Sequence, residues 1–288
     1  MHTAAECIPC FVRQAAEAVM HCGESLVPRE VILRRILHEL ADADWSGSPP
    51  EVAQLLHRII REETASLDPY RALKDRMNQL ALAALPACRE IIAKAADPQG
   101  AVVRIAVAGN LLDAGAKIQI QPEDLPGMLA SLWEQPLAGD PQELFRAAAA
   151  AERILFLADN AGEIVLDRLL IEALPYHKVT VAVRGRPVLN DALHEDAILA
   201  GIPDLAPVID NGSDAPGTVL ADCSDAFLEH FHRADLIIAK GQGNYETLSQ
   251  VAAPIIFLFT VKCPLVGAHI GSPTGTLVAK RTAAWAAR

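Results

Sequence analysis

The sequence predicts a protein of the α/β class, and three observations support that prediction. Apolar residues recur at helical spacing up to about residue 98, so the first part of the chain is expected to be helical. From residue 153 onward, short β-rich runs alternate with helical stretches, which is typical of parallel βαβ units in a doubly wound sheet. Residues 154–157 and 255–259 are apolar without alternation, as expected of strands that helices cover on both faces.

Residues 1–98 are predicted to form a helical N-terminal domain. Its helices are expected to end where turn residues cluster, at residues 23–28, 45–50 and 67–70. Asp68 is placed to cap a helix that Pro69 opens. The run at residues 97–100 is expected to close the helical region, so that a second domain covers residues 99–288.

The second domain is predicted to alternate strands with helices. Strands are expected at residues 153–158, 178–184, 206–209, 236–239 and 254–261. Helices are expected at residues 163–174, 190–200, 226–233 and 245–250. Parallel strands present their carboxyl ends at one edge of a sheet, and ligands bind just beyond that edge. The residues that follow each strand are therefore the first candidates for a functional site.

Charge and hydropathy exclude two classes of protein. The chain of 288 residues carries 25 basic and 36 acidic residues, a net charge of −11, without a basic run. A general nucleic-acid binder needs a dense basic face. A membrane-spanning helix needs about 18 consecutive apolar residues, and no stretch of the sequence is that long. The first residues do not have the pattern of a signal peptide. We expect a cytoplasmic protein whose partner is a small molecule, and one local cationic pocket is enough to bind an anion.

Oxygen-bearing side chains follow two of the predicted strands. Asp159 and Asn160 come directly after the first strand, and Asp191 follows the second. Carboxylate and amide oxygens are the donors that Mg²⁺ and Mn²⁺ prefer, with the remaining positions left to water or substrate. These three residues are the candidate metal ligands.

Positive charge and a glycine-rich loop are expected at the same edge. Lys240 and Lys262 end two further strands. The loop Gly241-Gln242-Gly243-Asn244 precedes a helix, so its backbone N–H groups can approach an anion. An oxygen-ligated divalent metal that faces lysines and such a loop suits phosphoryl chemistry.

Each of these features has a simpler explanation when it is taken alone. Asp159 can cap the next helix, and Asp191 can be a solvated carboxylate at a helix start. Lys262 can extend from the sheet edge into solvent, and a turn such as Gly241-Gln242-Gly243 more often joins a strand to a helix than it holds a phosphate. The functional interpretation rests on four strand ends that carry such groups together, which helix capping does not require.

The motifs resemble those of the metal-dependent damage-control phosphatases, a family also called domain of unknown function 89. The matching segments run from residue 7 to about residue 265, in the order of the family: Cys7-Ile8-Pro9-Cys10, Asp68-Pro69-Tyr70 with Lys74, Gly109-Asn110 with Asp113, Asp159-Asn160-Ala161-Gly162-Glu163, Asn190-Asp191, Lys240-Gly241-Gln242-Gly243-Asn244-Tyr245-Glu246 and Lys262-Cys263-Pro264. The resemblance is greatest to the prokaryotic branch that carries an N-terminal cysteine pair. It implies a helical N-terminal domain and a Rossmann-like three-layer α/β/α domain.

The resemblance also implies roles for individual residues. It makes Asp159, Asn160 and Asp191 the ligands of a divalent metal, Mn²⁺, Mg²⁺, Co²⁺ or Ni²⁺. It implies substrate contacts from Asn110, Glu163, Lys240, Gly241, Gly243, Asn244 and Lys262. The family's Arg-Thr-x-Lys motif stands here as Phe259-Thr260-Val261-Lys262, and the missing arginine leaves the substrate preference open.

The reaction that the resemblance implies is hydrolysis of a phosphomonoester of a small metabolite, such as a sugar phosphate or a phosphorylated cofactor precursor. Asp159 or Glu163 is expected to orient the attacking water. Lys240 or Lys262 is expected to stabilise charge on the phosphoryl oxygens. The catalytic candidates are therefore Asp159, Glu163 and Lys240.

The cysteines leave three interpretations open. Cys7 and Cys10 have the spacing of half a zinc site or of a redox pair, and they can also be plain thiols. Cys88 and Cys223 are expected to be buried as small apolar residues. Cys263, beside Lys262, is expected to line the pocket without reacting.

Two other functions remain open from the sequence. An S-adenosylmethionine-dependent methyltransferase can use a similar fold, although the turn after the first strand lacks a Gly-x-Gly pattern. A non-catalytic metal- or redox-responsive binding module would place the function in Cys7 and Cys10. An oligomer is possible in either case.

Overall fold

The computed structural model describes residues 1–22, 27–109, 127, 129, 131–282 and 285. The helices are α1 (Ile8–His21), α2 (Arg29–Asp42), α3 (Pro49–Thr64), α4 (Arg71–Lys94), α5 (Pro98–Ala108), α6 (Pro141–Ala150), α7 (Glu163–Ala173), α8 (His194–Leu199), α9 (Asp225–Arg233), α10 (Gln242–Leu248) and α11 (Pro264–Ile270). The strands are β1 (Leu137–Gly139), β2 (Ile154–Leu157), β3 (Val179–Val183), β4 (Val208–Asp210), β5 (Leu236–Lys240), β6 (Ile255–Thr260) and β7 (Leu277–Arg281). Short 3-10 turns lie at Ala5–Cys7, Tyr176–Lys178, Ile202–Asp204 and Leu220–Asp222. Within these ranges, every helix is too short or too polar to cross a membrane.

Helices α1 to α3 share a hydrophobic core with the first half of α4. Helix α3 begins in a capping box, in which the backbone N–H of Ser48 donates to Glu51 Oε2 at 2.6 Å. The buried side chains of this core include Phe11, Ile32, Ile36, Leu56, Ile60 and Met77. The second half of α4 contributes Ala81, Ala84 and Cys88 to a different core, which lies against the sheet. The packing therefore changes within α4, ahead of the predicted domain boundary at residue 98.

The run at residues 97–100 begins a helix, so the prediction that helical structure closes there is wrong. The Asp97 side chain caps α5 by accepting a hydrogen bond from the Gly100 N–H at 3.0 Å. Pro98 occupies the first helical position, where its missing N–H costs nothing. The apolar residues of α5 are buried in the core beside the sheet. An Asp-Pro pair can mark either the start or the end of a helix. Here the apolar residues that follow the pair favour a helix start.

The strands form one seven-stranded sheet in the order β1-β7-β6-β5-β2-β3-β4. Strands β2 to β6 pair in parallel, which confirms the predicted βαβ units. Strand β7 runs antiparallel to β6 and parallel to the short strand β1. These two strands at one edge of the sheet were not predicted.

Helices cover both faces of the sheet. Along β2, Ile154 and Phe156 point into the core formed with α4 to α8. Their neighbours Leu155 and Leu157 point into a second core, which includes Phe227 of α9 and residues of α10 and α11. All four residues of β2 are buried, as the unalternating apolar run predicted. The fold is a mixed α/β one with both faces of its sheet covered.

Candidate active site

The site candidates lie where the order of the strands reverses. From β2 the chain continues outward to β3 and β4, whereas β5 and β6 lie on the other side of β2. Loops that leave two adjacent strands in opposite directions open a crevice at their carboxyl ends. Asp159 follows β2 and Gly241 follows β5, so both lie at this point of the sheet.

Backbone pairing brings the three predicted metal ligands together. Asn160 and Asp191 form an isolated antiparallel bridge, and the Ala192 N–H donates to the Asp159 carbonyl at 2.7 Å. Asp159, Asn160 and Asp191 are exposed by only 7%, 5% and 3%. Asn160 Nδ2 donates to Asp159 Oδ2 at 2.7 Å. Because the bridge uses this stretch of chain, α8 begins at residue 194 and not at the predicted residue 190.

Burial raises the pKa of both carboxyl groups. For Asp159 the next causes are the negative charges of Asp191 and Glu163, which also raise its pKa, while Arg184 and Lys262 lower it. For Asp191 the positive charge of Arg184 opposes burial. Carboxylates that share a buried site repel each other, so a cation beside them lowers their free energy.

Arg184 supplies part of that positive charge, and the sequence reasoning assigned it no role. It follows β3, is 3% exposed, and donates from Nε to Asp191 Oδ2 at 2.6 Å. Its Nη2 lies 3.6 Å from Asp159 Oδ1, and Nη1 lies 3.4 Å from Thr218 Oγ1. The sequence did carry a signal for Arg184: it is a basic residue directly after a predicted buried strand, and acidic residues follow that strand and the strand before it.

Lys240 is predicted to contact substrate, and in the structure its ammonium group is bonded to other groups of the protein. Its side chain is fully buried, and Nζ donates to the carbonyl of Ala106 at 2.9 Å. The same Nζ donates to Glu163 Oε1 and to Asp167 Oδ1. An ammonium group has three protons to donate, and these three acceptors take them all. Lys240 therefore belongs to a buried charge cluster of Lys240, Glu163 and Asp167.

Asp167 was also missed, because it lies on the inner face of α7, away from any strand end. Burial raises its pKa to about 7, and the charge of Lys240 acts in the opposite direction. Burial lowers the pKa of Lys240, but the two neighbouring carboxylates more than offset this, so its net shift is upward. Glu163 is 1% exposed, and its Oε2 accepts from Asn160 Nδ2 at 3.2 Å. The buried charge cluster is thus hydrogen-bonded to a candidate metal ligand.

The glycine-rich loop lies directly against Asp159. Gly241 has φ +80°, and a Cβ at this position would lie 2.0 Å from Asp159 Oδ2. A Cβ on Gly243 would lie 2.1 Å from the carbonyl oxygen of Pro216. Asn244 is fully buried, and its Nδ2 donates to the Lys240 carbonyl at 2.8 Å. The side chain of Asn244 thus secures the loop, and Gly241 permits its close approach to Asp159.

Two further predicted substrate contacts are Lys262 and Asn110. Lys262 is exposed, and its positive charge acts on both Asp159 and Asp191. Asn110 lies outside the described residues. Its neighbour Gly109 is described, and a Cβ there would lie 2.7 Å from Glu163 Cγ. The end of α5 therefore lies close to the buried charge cluster.

Helix α4 holds the loop that carries the ligand candidates. Asn78 is fully buried, and its Oδ1 accepts a hydrogen bond from the Gly162 N–H at 2.6 Å. Its Nδ2 donates to Asp196 Oδ1 at 2.7 Å. Gly162 has φ +72°, and a Cβ there would lie 2.9 Å from the Met77 carbonyl oxygen. Helix α4 thus contacts the loop of the candidate metal ligands through the buried amide of Asn78 and the backbone of Met77.

Replacing Asn78 by Ala is expected to weaken both folding and ion binding. The substitution leaves the buried Gly162 N–H without its acceptor, which costs about 2 kcal/mol in the free energy of unfolding. It also frees the loop after β2, so we expect Mn²⁺ affinity to fall about tenfold. Gln79→Ala, an exposed neighbour on the same helix, is the matched control. Equal Mn²⁺ affinity in Asn78→Ala and wild type, measured by calorimetry, would show that the loop does not need this contact.

The donor set suits a hard divalent cation. The buried carboxylates of Asp159 and Asp191 lie close to the side-chain amide of Asn160. Carboxylate and amide oxygens are ligands that favour Mg²⁺ or Mn²⁺. Over the described residues, no group of three His, Cys, Asp or Glu side chains is placed to hold a metal ion. The candidate metal ligands are not a group of that kind, because the third ligand is the amide of Asn160. The repulsion between the two buried carboxylates is the physical reason for a cation there.

Known proteins are similar to this chain in sequence and in fold. The damage-control phosphatase ARMT1-like domain matches residues 3–278. A damage-control phosphatase from Archaeoglobus fulgidus is 35% identical over 244 residues, which cover 82% of this chain and 84% of that protein. An uncharacterized protein from Methanocaldococcus jannaschii is 34% identical over 285 residues, which cover 94% of this chain and 92% of that protein. The crystal structure of a DUF89 family protein from Pyrococcus horikoshii matches with a TM-score of 0.89 at 31% identity and covers 98% of this chain and 99% of that chain. The chain therefore belongs to the damage-control phosphatase ARMT1-like family.

Proposed function

We propose that this protein is a metal-dependent phosphatase that hydrolyses a phosphomonoester of a small metabolite, of the sugar phosphate or phosphorylated cofactor precursor class. The observation that carries the proposal is the meeting of Asp159, Asn160 and Asp191 at the switch point of the sheet. The relative from Archaeoglobus fulgidus is named a damage-control phosphatase, which favours this reaction over methyl transfer. We also place the chain in the branch that carries an N-terminal cysteine pair.

In this proposal Asp159, Asn160 and Asp191 hold the divalent metal. When bound, the metal supplies Lewis-acid polarisation of the phosphoryl group and favours deprotonation of water. Asp159 has a further role, because its buried carboxylate is a candidate to accept a proton from the attacking water. Arg184, which lies against both carboxylates, keeps them in place for binding.

Glu163 and Lys262 are the two groups that we propose for substrate. Glu163 is next to Asn160 and is held by the buried charge cluster, so its carboxylate can orient water or a substrate hydroxyl. Lys262 is exposed and within electrostatic reach of the two carboxylate ligands, Asp159 and Asp191, which suits it to bind a phosphate oxygen from the solvent side. Lys240 is a positioning residue, because it acts on substrate only through Glu163.

The experiment that tests this function is a phosphate-release screen. The protein is stripped of metal with a chelator and assayed with sugar phosphates and phosphorylated cofactor precursors, each with Mg²⁺, Mn²⁺, Co²⁺ or Ni²⁺. We expect release of inorganic phosphate from at least one class of ester, and only after a divalent metal is restored. Absence of release from every ester in every metal would contradict the proposal.

Replacing Lys262 by Gln is expected to weaken substrate binding more than turnover. The substitution removes one charge-assisted contact to phosphate, worth about 1.4 kcal/mol, so KM rises about tenfold while kcat changes less. Lys280→Gln removes an exposed lysine from β7 and serves as the charge-matched control. An unchanged KM in Lys262→Gln, from steady-state kinetics at one ionic strength, would remove Lys262 from the phosphate site.

A further inference from the structure

A leucine with a left-handed backbone lies two positions before a candidate metal ligand. Leu189 has φ +44°. Within the described part of the chain, the other non-glycine residue with positive φ is Ala65, at the C-cap of α3, where this conformation is common. The Asp191 N–H donates to the Val188 carbonyl at 3.1 Å, so residues 188–191 form a β-turn with Leu189 at its first central position. We call residues 188–191 the ligand turn.

Leucine is an unfavourable residue at this position of a turn. Turns with positive φ at the first central residue mostly carry Gly, Asn or Asp there. In the left-handed conformation the Cβ atom of any other residue crowds the backbone, and leucine has no polar side-chain group to form a local hydrogen bond in return. A strained conformation of this kind persists only where the surrounding structure holds it. The contacts of the ligand turn are therefore expected to hold Leu189 in place.

The N-terminal helices supply those contacts. The side chain of Leu189 packs against the hydrophobic core that α1 to α3 share with the first half of α4. Directly before the ligand turn, Arg61 of α3 donates from Nη1 to the Pro187 carbonyl at 2.8 Å. Directly after Leu189, Asn190 donates from Nδ2 to Met77 Sδ of α4 at 3.7 Å. Helices α3 and α4 thus hold the chain on both sides of Leu189, and their core holds its side chain.

The ligand turn in turn holds the loop after β2. The Asn190 carbonyl accepts a hydrogen bond from the Ala161 N–H at 2.9 Å. A change of φ at Leu189 would rotate the peptide groups that follow it and break this bond. The carboxylates of Asp159 and Asp191 repel each other when no cation lies between them. A turn without restraint would therefore let Asp191 move away from Asp159.

We propose that Leu189 is a positioning residue of the metal site. The N-terminal helical core holds its side chain, and the strained ligand turn thereby keeps Asp191 beside Asp159 before the metal binds. Arg184 holds the carboxylate of Asp191, whereas the ligand turn holds its backbone. Ligands that are already in place bind a metal more tightly, because less conformational freedom is lost on binding. The inference rests on the proposed function, in which Asp191 is a metal ligand, and it gives the N-terminal helices a role at that site.

Calorimetric titration of Leu189 variants with Mn²⁺ tests the inference. Leu189→Ala removes the side chain that the core holds but keeps the unfavourable backbone, so we expect the dissociation constant to rise about tenfold. Leu189→Gly removes the side chain too, but glycine adopts positive φ without strain, so we expect a rise of only about threefold. Leu189→Met keeps an apolar side chain of similar volume and is expected to stay within about twofold of the wild type.

The order of the Ala and Gly variants separates positioning from stability. If Leu189 only filled the core, the melting temperature would follow the size of the side chain, and the Mn²⁺ dissociation constant of the folded protein would be the same in all variants. At saturating Mn²⁺, KM for the ester is expected to stay unchanged, because Lys262 is not altered. Ala65→Gly removes the other strained non-glycine residue and is the matched control, with wild-type Mn²⁺ affinity expected.

The Mn²⁺ affinities decide the inference separately from the phosphatase reaction. Equal dissociation constants in wild type, Leu189→Ala and Leu189→Gly would overturn the inference, and so would weaker binding by Leu189→Gly than by Leu189→Ala. Should Leu189→Ala fold poorly, Leu189→Gly compared with wild type decides in its place, with equal constants as the contradicting result. The expected order of affinities in a protein that releases no phosphate would support the role of Leu189 and contradict only the proposed reaction. A wild type that binds no Mn²⁺ would overturn both.

Discussion

Replacing Asp159 by Asn is expected to lower phosphate release on the order of 10³-fold, which corresponds to about 4 kcal/mol of transition-state stabilisation. The substitution keeps the size and burial of the side chain but removes one of two carboxylates that face the proposed metal. It also removes the buried group that is a candidate to accept the proton of the attacking water. Rates of phosphate release at saturating Mn²⁺, measured on the ester that the screen identifies, give the magnitude.

The stability of Asp159→Asn separates this effect from misfolding. Burial raises the pKa of Asp159 above its unfolded value, so its ionised form destabilises the folded state, and this cost increases as the pH rises above the unfolded pKa. A neutral amide avoids that cost, and we expect the melting temperature at neutral pH to be equal or higher. Asp210→Asn, at the end of β4, which β3 separates from β2, is the control, and its activity is expected to be unchanged. Full activity in Asp159→Asn would contradict the assigned role.

Replacing Lys240 by Met is expected to destabilise the fold by about 3–5 kcal/mol. The substitution removes the only ammonium group bonded to both Glu163 and Asp167 within the described residues, and it leaves two buried carboxylates next to each other. A chain of this length has about 5–15 kcal/mol of net stability, so the loss is a large fraction of it. Thermal unfolding is expected to shift downward by about 10 °C.

Two further variants identify the cause of that loss. Lys240→Met combined with Asp167→Leu removes the ammonium group and one of its two carboxylate partners, so that Glu163 no longer faces a second buried carboxylate. The double variant is expected to recover part of the stability, because apolar groups can replace a buried ion pair. Lys94→Met removes an exposed lysine that pairs with Glu90 on α4, and its effect should stay within about 0.5 kcal/mol. A Lys240→Met protein with wild-type stability and reduced activity would instead support direct contact between Lys240 and substrate.

The sequence predicts the parallel strands and the position of the candidate site for one physical reason. Strands buried on both faces must be apolar without alternation, so β2 and β6 stand out, and residues directly after them lie at the sheet edge where ligands bind. Asp159 and Asn160 follow from that rule, and the structure brings them together with Asp191.

The buried charge cluster could not be predicted in the same way. In the sequence, Lys240 stands at a strand end, where a side chain that reaches substrate is expected. In the structure its side chain is buried because it pairs with Glu163 and Asp167. These partners are 77 and 73 positions away in the sequence, so the pairing is visible only in the fold. The edge strand β1 has three residues and carries no periodic pattern that distinguishes it from a loop. The role of Asn78 could not be predicted either, because it depends on a hydrogen bond with Gly162, which lies 84 positions away in the sequence.

The most direct measurement of the central claim is a calorimetric titration of metal-free protein with Mn²⁺, with phosphate release followed on the same samples. We predict one Mn²⁺ site per chain in the wild type, with activity that rises in proportion to its occupancy. We predict that Asp159→Asn binds Mn²⁺ more weakly and releases phosphate on the order of 10³-fold more slowly while it remains folded. Full phosphate release in excess chelator, or Mn²⁺ binding that Asp159→Asn leaves unchanged, would contradict the account.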